Sequence, residues 1–138
     1  MRKVIVFIMT SFLVSWMFSF GALAQSQDKK QPSMEELATQ EADRLGALLE
    51  LEDWQIFYVD STLQHDYVAL DTELKDLQKS KVGNTDIYVS VQDKWMQQID
   101  DTFHKIFNED QWATYQKNGA AKQQKARDKR KAKASGKK

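Results

Sequence analysis

The chain has 138 residues, with 20 Lys/Arg against 20 Asp/Glu, one Pro and no Cys. The absence of Cys excludes a disulfide scaffold and a thiolate metal site, and the length suits one small domain rather than a multidomain enzyme. The balanced charge hides a division: residues 25–116 carry 8 basic against 19 acidic side chains, and residues 117–138 carry 10 against 1.

Residues 1–24 read as a signal peptide. Arg2 and Lys3 open it, an apolar run over 4–20 follows, and Ala22-Leu23-Ala24 supplies an A-x-A cleavage site. The run spans 17 residues and contains Thr10, Ser11, Ser15 and Ser19, which is short and polar for a membrane anchor. Export with cleavage after Ala24 is the expectation. The polar stretch 25–32 is expected to be a disordered lead-in.

Residues 33–116 are expected to form an all-α domain. Ser33-Met34-Glu35-Glu36 has the S-x-x-E capping form, and the apolar spacing that follows predicts a first helix over 34–49. In the second helix, Ile56, Val59, Leu63, Tyr67, Leu70, Leu74 and Leu77 recur at steps of three and four. They fall within about 80° of one another, a narrow packing seam. Trp54, Tyr58 and His65 lie nearly opposite and form an aromatic face.

Residues 80–84 break the pattern. Gly83 suits a left-handed position after the helix, and Asn84 or Thr85 suits the next cap. Tyr88, Val91, Trp95, Ile99, Phe103 and Ile106 continue a helical face, although 85–91 alternates in a way that also fits a short strand. The short connection makes the second and third helices an antiparallel hairpin. Asn108 with Gln111 is another capping-box pair and opens a fourth helix through Trp112 and Tyr115. Beyond Gln116 no apolar residue is larger than Ala, so 117–138 reads as a basic tail, helical or disordered, with no core to join.

Two segments share a form. Leu49-Glu50-Leu51-Glu52-Asp53-Trp54-Gln55 reads L-x-L-E-x-x-Q, and Ile106-Phe107-Asn108-Glu109-Asp110-Gln111 reads I-F-N-x-x-Q. Each follows an apolar helix end and opens a new amphipathic run, so each reads as a helix junction in which Gln returns a hydrogen bond to the cap. Asn108 is a good cap; Glu52 is a poor one, which leaves a continuous or kinked helix open at the first junction.

The two motifs, centred on Leu51, Gln55, Asn108 and Gln111, resemble the LTxxQ signature of the Spy/CpxP family of periplasmic stress proteins. The order also resembles that family: signal peptide, helix, motif, long hairpin, motif, basic tail. Both Thr positions differ, being Glu52 and Asn108. The resemblance implies a periplasmic location and an all-α hairpin that dimerises into a curved cradle. It also implies a role as an ATP-independent chaperone, an envelope-stress modulator or a metal-resistance protein.

Catalytic chemistry has little to stand on. Gly residues are scattered, and His65 and His104 are the only histidines. They read as surface side chains rather than as parts of a zinc site, even with His65 beside Asp66 and with Asp101 at i, i+3 from His104. Neither a cofactor nor a metal is expected. The carboxylates Asp66, Asp71, Glu73, Asp76, Asp93, Asp100 and Asp101 read as a solvated face. The tail offers attraction to acidic lipid or polysaccharide, whereas export argues against nucleic acid as a partner. The expected function is a non-enzymatic chaperone or stress modulator that contacts unfolded or envelope protein clients through Trp54, Tyr58, Val68, Trp95 and Met96. The alternative is a structural or surface protein that uses its basic tail.

Overall fold

A computed structural model of the chain describes residues 30–136. The expected signal peptide at 1–24 and most of the expected lead-in at 25–32 lie outside the described residues. The helices of the described residues belong to one compact unit, Pro32–Lys138. Among the described residues the fold is all-α: α1 (Met34–Leu49), α2 (Asp53–Lys79), α3 (Thr85–Ile106), α4 (Glu109–Tyr115) and α5 (Ala121–Ser135). None of these helices is long and apolar enough to cross a membrane.

Ser33 caps α1 reciprocally with Glu36: the Ser33 hydroxyl accepts the Glu36 N–H at 3.1 Å, and the Glu36 carboxylate accepts the Ser33 N–H at 2.9 Å. The first junction is a true break, not a continuous or kinked helix. Glu50 adopts the left-handed conformation (φ 50°, ψ 52°), and the Leu51 N–H donates to Gly46 O at 3.0 Å. This six-to-one bond closes α1 as a Schellman turn. Glu52 returns to extended geometry (φ −70°, ψ 157°) and α2 starts afresh.

The hairpin turn closes in the same way, but one expectation is corrected. Lys81, not Gly83, occupies the left-handed position (φ 56°), with Lys81 N–H bonded to Gln78 O and Val82 N–H to Leu77 O. The closing hydrogen bonds compensate for the steric cost at a lysine. Asn84 then caps α3 by accepting the Asp86 N–H at 3.0 Å. The segment 85–91 is helix, not strand, because the three-four apolar spacing runs unbroken into the rest of α3.

The core sits at the junction end of the hairpin, where Ala38, Ala42, Leu45 and Leu49 of α1 meet Val59 and Leu63 of α2 and Ile99, Phe103 and Phe107 beyond. Leu70, Leu74 and Leu77 continue the α2 seam but are only half-buried. The reason is the reach of α1. Gln64 of α2 already bonds Thr39 Oγ1 and Glu35 O in the first turns of α1, so Leu70, Leu74 and Leu77 lie beyond the start of α1.

The tail takes one of its two expected states but is tied to the body by ion pairs. Residues 121–135 are helical, and the helix joins the body. Between α4 and α5 the chain kinks at Asn118 (φ −85°, ψ 19°) and Gly119 (φ 121°, ψ −19°). The positive φ at Gly119 is strained for any residue with a Cβ. The kink turns α5 so that Arg127, 7 % exposed, pairs with Asp100, and Arg130 grips Asp93 through two bonds of 2.7 Å.

Candidate functional site

The two sequence motifs meet in space. At the first junction Gln55, 3 % exposed, uses Oε1 to accept the Glu52 N–H at 3.0 Å. At the second, Gln111 Oε1 accepts the Asn108 N–H at 3.0 Å, and Asn108 Oδ1 accepts the Gln111 N–H at 2.9 Å. The two amides then bond each other: Gln55 Nε2 donates to Gln111 Oε1 at 2.8 Å, and Gln111 Nε2 donates to Gln55 Oε1 at 3.1 Å. Gln55 Nε2 also donates to Ile106 O at 3.0 Å, one of the carbonyls that the end of α3 leaves without a helical partner. The starts of α2 and α4 are thereby clasped side by side. Each glutamine works twice, as a cap for its own helix and as a tie to the other.

This clasp fixes the base of an exposed aromatic surface. Trp54, Phe57 and Tyr58 are 51 %, 66 % and 54 % exposed and all lie in the first two turns of α2. Tyr58 packs edge-on against both neighbours, with ring centroids 6.3 Å from Trp54 and 5.6 Å from Phe57. The Trp54 Nε1–H donates to the Glu52 carboxylate at 2.6 Å, which orients the indole. Rigid aromatics facing solvent in one cluster are unusual, because such side chains ordinarily contribute to the core.

Among the five contact candidates named from the sequence, Trp54, Tyr58 and Val68 share the solvent stripe of α2 at steps of three and four, with Ser61 and His65 between them. Trp95 and Met96 lie on α3 and are half-buried. Trp95 donates Nε1–H to Glu73 at 2.7 Å under the ammonium of Lys94, and Met96 packs against the core. The His65 ring lies 6.5 Å from Trp95, so Trp95 borders the stripe. Phe57 was missed; its signal was its place at i+3 from Trp54 and beside Tyr58.

Two carboxylates expected on a solvated face are buried. Asp66 accepts from Gln98 Nε2 at 3.2 Å and faces His65 Nδ1 at 2.7 Å. Asp100 accepts from Tyr115 Oη at 2.6 Å and from Arg127. Each buried charge is thus hydrogen-bonded, which burial demands. Burial, then the charge of Asp100 and its hydrogen bond, push the Tyr115 phenol above its ordinary value. His104 stacks on Trp112 at 4.3 Å. Among the described residues no three His, Cys, Asp or Glu side chains gather where they could hold a metal ion.

No protein-family model, curated protein or solved structure matches this chain.

Proposed function

We propose that the chain is an exported, non-enzymatic binding protein of Spy/CpxP type that shields apolar segments of unfolded or envelope proteins without a nucleotide or other cofactor. The observation that carries this reading is the solvent-facing cluster of Trp54, Phe57 and Tyr58 on a helix whose start is tied to that of α4 by Gln55 and Gln111. A client segment would bury apolar area against those rings reversibly, since a patch of this kind contributes a few kcal/mol at most after the cost of association. The junction motifs support the family reading, because both occur at helix breaks and both glutamines serve as caps. A periplasmic location follows from the same reading, as does a homodimeric cradle. The mature protein, beginning at Gln25, should suppress light scattering by a denatured client at near-stoichiometric ratios without ATP. Scattering unchanged by the protein would remove the proposal.

The alternative, a surface protein using its tail, is favoured by one arrangement. Lys122, Lys125, Lys129 and Lys133 recur at steps of three and four, all exposed, and fall within about 80° on α5. Arg127 and Arg130, which grip α3, lie on another side of the helix. Such a stripe attracts anionic headgroups by about 1 kcal/mol per lysine. Replacing the four lysines by Gln should abolish sedimentation with anionic vesicles at low salt and leave client protection intact. If client protection is lost as well, the two roles are not separate.

A further inference from the structure

The exposed aromatics stand in a stretch of one-sided charge. Residues 45–74 contain seven Asp/Glu and no Lys or Arg. The cations that flank the stretch are engaged: Arg44 by Glu41 through two bonds of 2.7 Å, and Lys75 by Asp71 at 2.6 Å. Around the rings, Glu50, Glu52 and Asp53 are exposed, and Asp60 follows one turn later. Glu109 and Asp110 open α4, whose start is tied to that of α2 through Gln111 and Gln55, and both are exposed.

We infer that this surface selects cationic, apolar protein segments. The inference rests on the client-binding reading and names its substrate class. A Lys or Arg placed over the face of Trp54 or Tyr58 is attracted by the ring quadrupole. The carboxylates of Glu50, Glu52, Asp53 and Asp60, all close to the rings along the chain, strengthen that attraction. Apolar neighbours of the cation cover Phe57. An acidic apolar segment gains the same apolar burial but meets like charge, which is how an interface rejects wrong partners. The lysine stripe of a second copy supplies the charge but not the apolar part, because residues 117–138 hold nothing apolar larger than Ala. A foreign segment therefore fits better than a second copy of the chain.

The test uses the full mature protein and three labelled peptides read by fluorescence anisotropy. One alternates Lys with Phe and Leu, one replaces each Lys by Glu, and one keeps Lys but replaces the apolar residues by Ser. The Lys/Phe peptide should bind about tenfold or more tighter than either control at low ionic strength, and the margin should narrow with added salt. Phe57→Ser with Tyr58→Ser should weaken it about tenfold with helicity and melting unchanged. Asp53→Asn with Asp60→Asn should reduce the preference for Lys over Glu. Equal binding of the Lys and Glu peptides would overturn the inference, as would Lys/Phe binding that ignores the aromatic substitutions. A wild-type dimer dissociated by those same substitutions would also overturn it, by assigning the patch to a second copy. Aggregation suppression without charge preference would remove only this inference; loss of both suppression and peptide binding would remove the client reading as well.

Discussion

At the junction end of the α2–α3 hairpin, Val59, Leu63, Ile99 and Phe103 are 0–1 % exposed, whereas Leu70, Leu74, Leu77, Tyr88 and Val91, farther along the same faces, are half-buried. The helices are the same; their cover is not. α1 and α4 dock on the junction half, whereas α5 reaches toward the turn only through the exposed Arg130–Asp93 pair. There polar ties stand in for a core: Glu73 accepts from Lys94 at 2.6 Å and from Trp95 at 2.7 Å, and Tyr88 Oη donates to Val82 O at 2.6 Å. Burial is thus concentrated where the motifs meet, and the exposed aromatics rise from the best-covered part of the hairpin.

The largest expected effects are inside the covered half. Phe103→Ala should cost about 3–5 kcal/mol by urea denaturation, and Leu77→Ala about 1 kcal/mol. Equal losses would erase the distinction between the two halves. Arg127→Ala strands Asp100 in a buried site and should cost about 3–5 kcal/mol. Arg130→Ala breaks an exposed pair and should cost about 0–1 kcal/mol. If both arginines prove neutral, α5 is not docked in solution.

The clasp should follow in size. Gln55→Ala leaves the Glu52 N–H, the Ile106 carbonyl and the Gln111 amide without their partner, at a cost of about 2–3 kcal/mol. Gln111→Ala should cost less, because Gln111 is only half-buried. A double-mutant cycle should return a coupling near 1 kcal/mol; strict additivity would reduce the clasp to two independent caps.

The smallest effect belongs to the turn half. The hydrogen bond from Lys94, then that from Trp95, hold the Glu73 carboxyl below its ordinary value of 4.5. A lowered carboxylate pKa adds stability that is complete above the ordinary value and is lost as pH falls through the lowered one. Glu73 is about a third exposed and the pair is screened, so the loss should be no more than about 0.5 kcal/mol. It should vanish in Glu73→Gln when melting is followed below pH 5.

Much of this architecture was legible because it is local. Ser33 with Glu36 and Asn108 with Gln111 are caps written within four residues, and three-four spacing drew each helix of the body. The junction after Leu49, with Gln55 returning a bond to its cap, was legible, but a full break rather than a continuous or kinked helix was not, since a glutamate in left-handed geometry has no propensity signal and Glu50 is held there by closing bonds to Gly46 O. The Gln55–Gln111 bond joins positions 56 residues apart, and no local pattern reports it. Arg127 was hidden in a run of lysines, and the buried roles of Asp66 and Asp100 depend on partners from other helices or distant turns. At the site, Trp54 and Tyr58 were found by their helical phase. Phe57 fell between the seam and the opposite face and was passed over.

The central question is whether the aromatics of α2 serve as a binding surface or as packing. Trp54→Ala combined with Tyr58→Ala decides this when client light scattering and thermal melting are measured on the same sample. We expect aggregation suppression to fall severalfold while the melting midpoint stays within about 4 °C of wild type, since exposed substitutions change stability by about 0.5 kcal/mol or less. Undiminished suppression would contradict the account, and so would a midpoint that collapses together with the suppression.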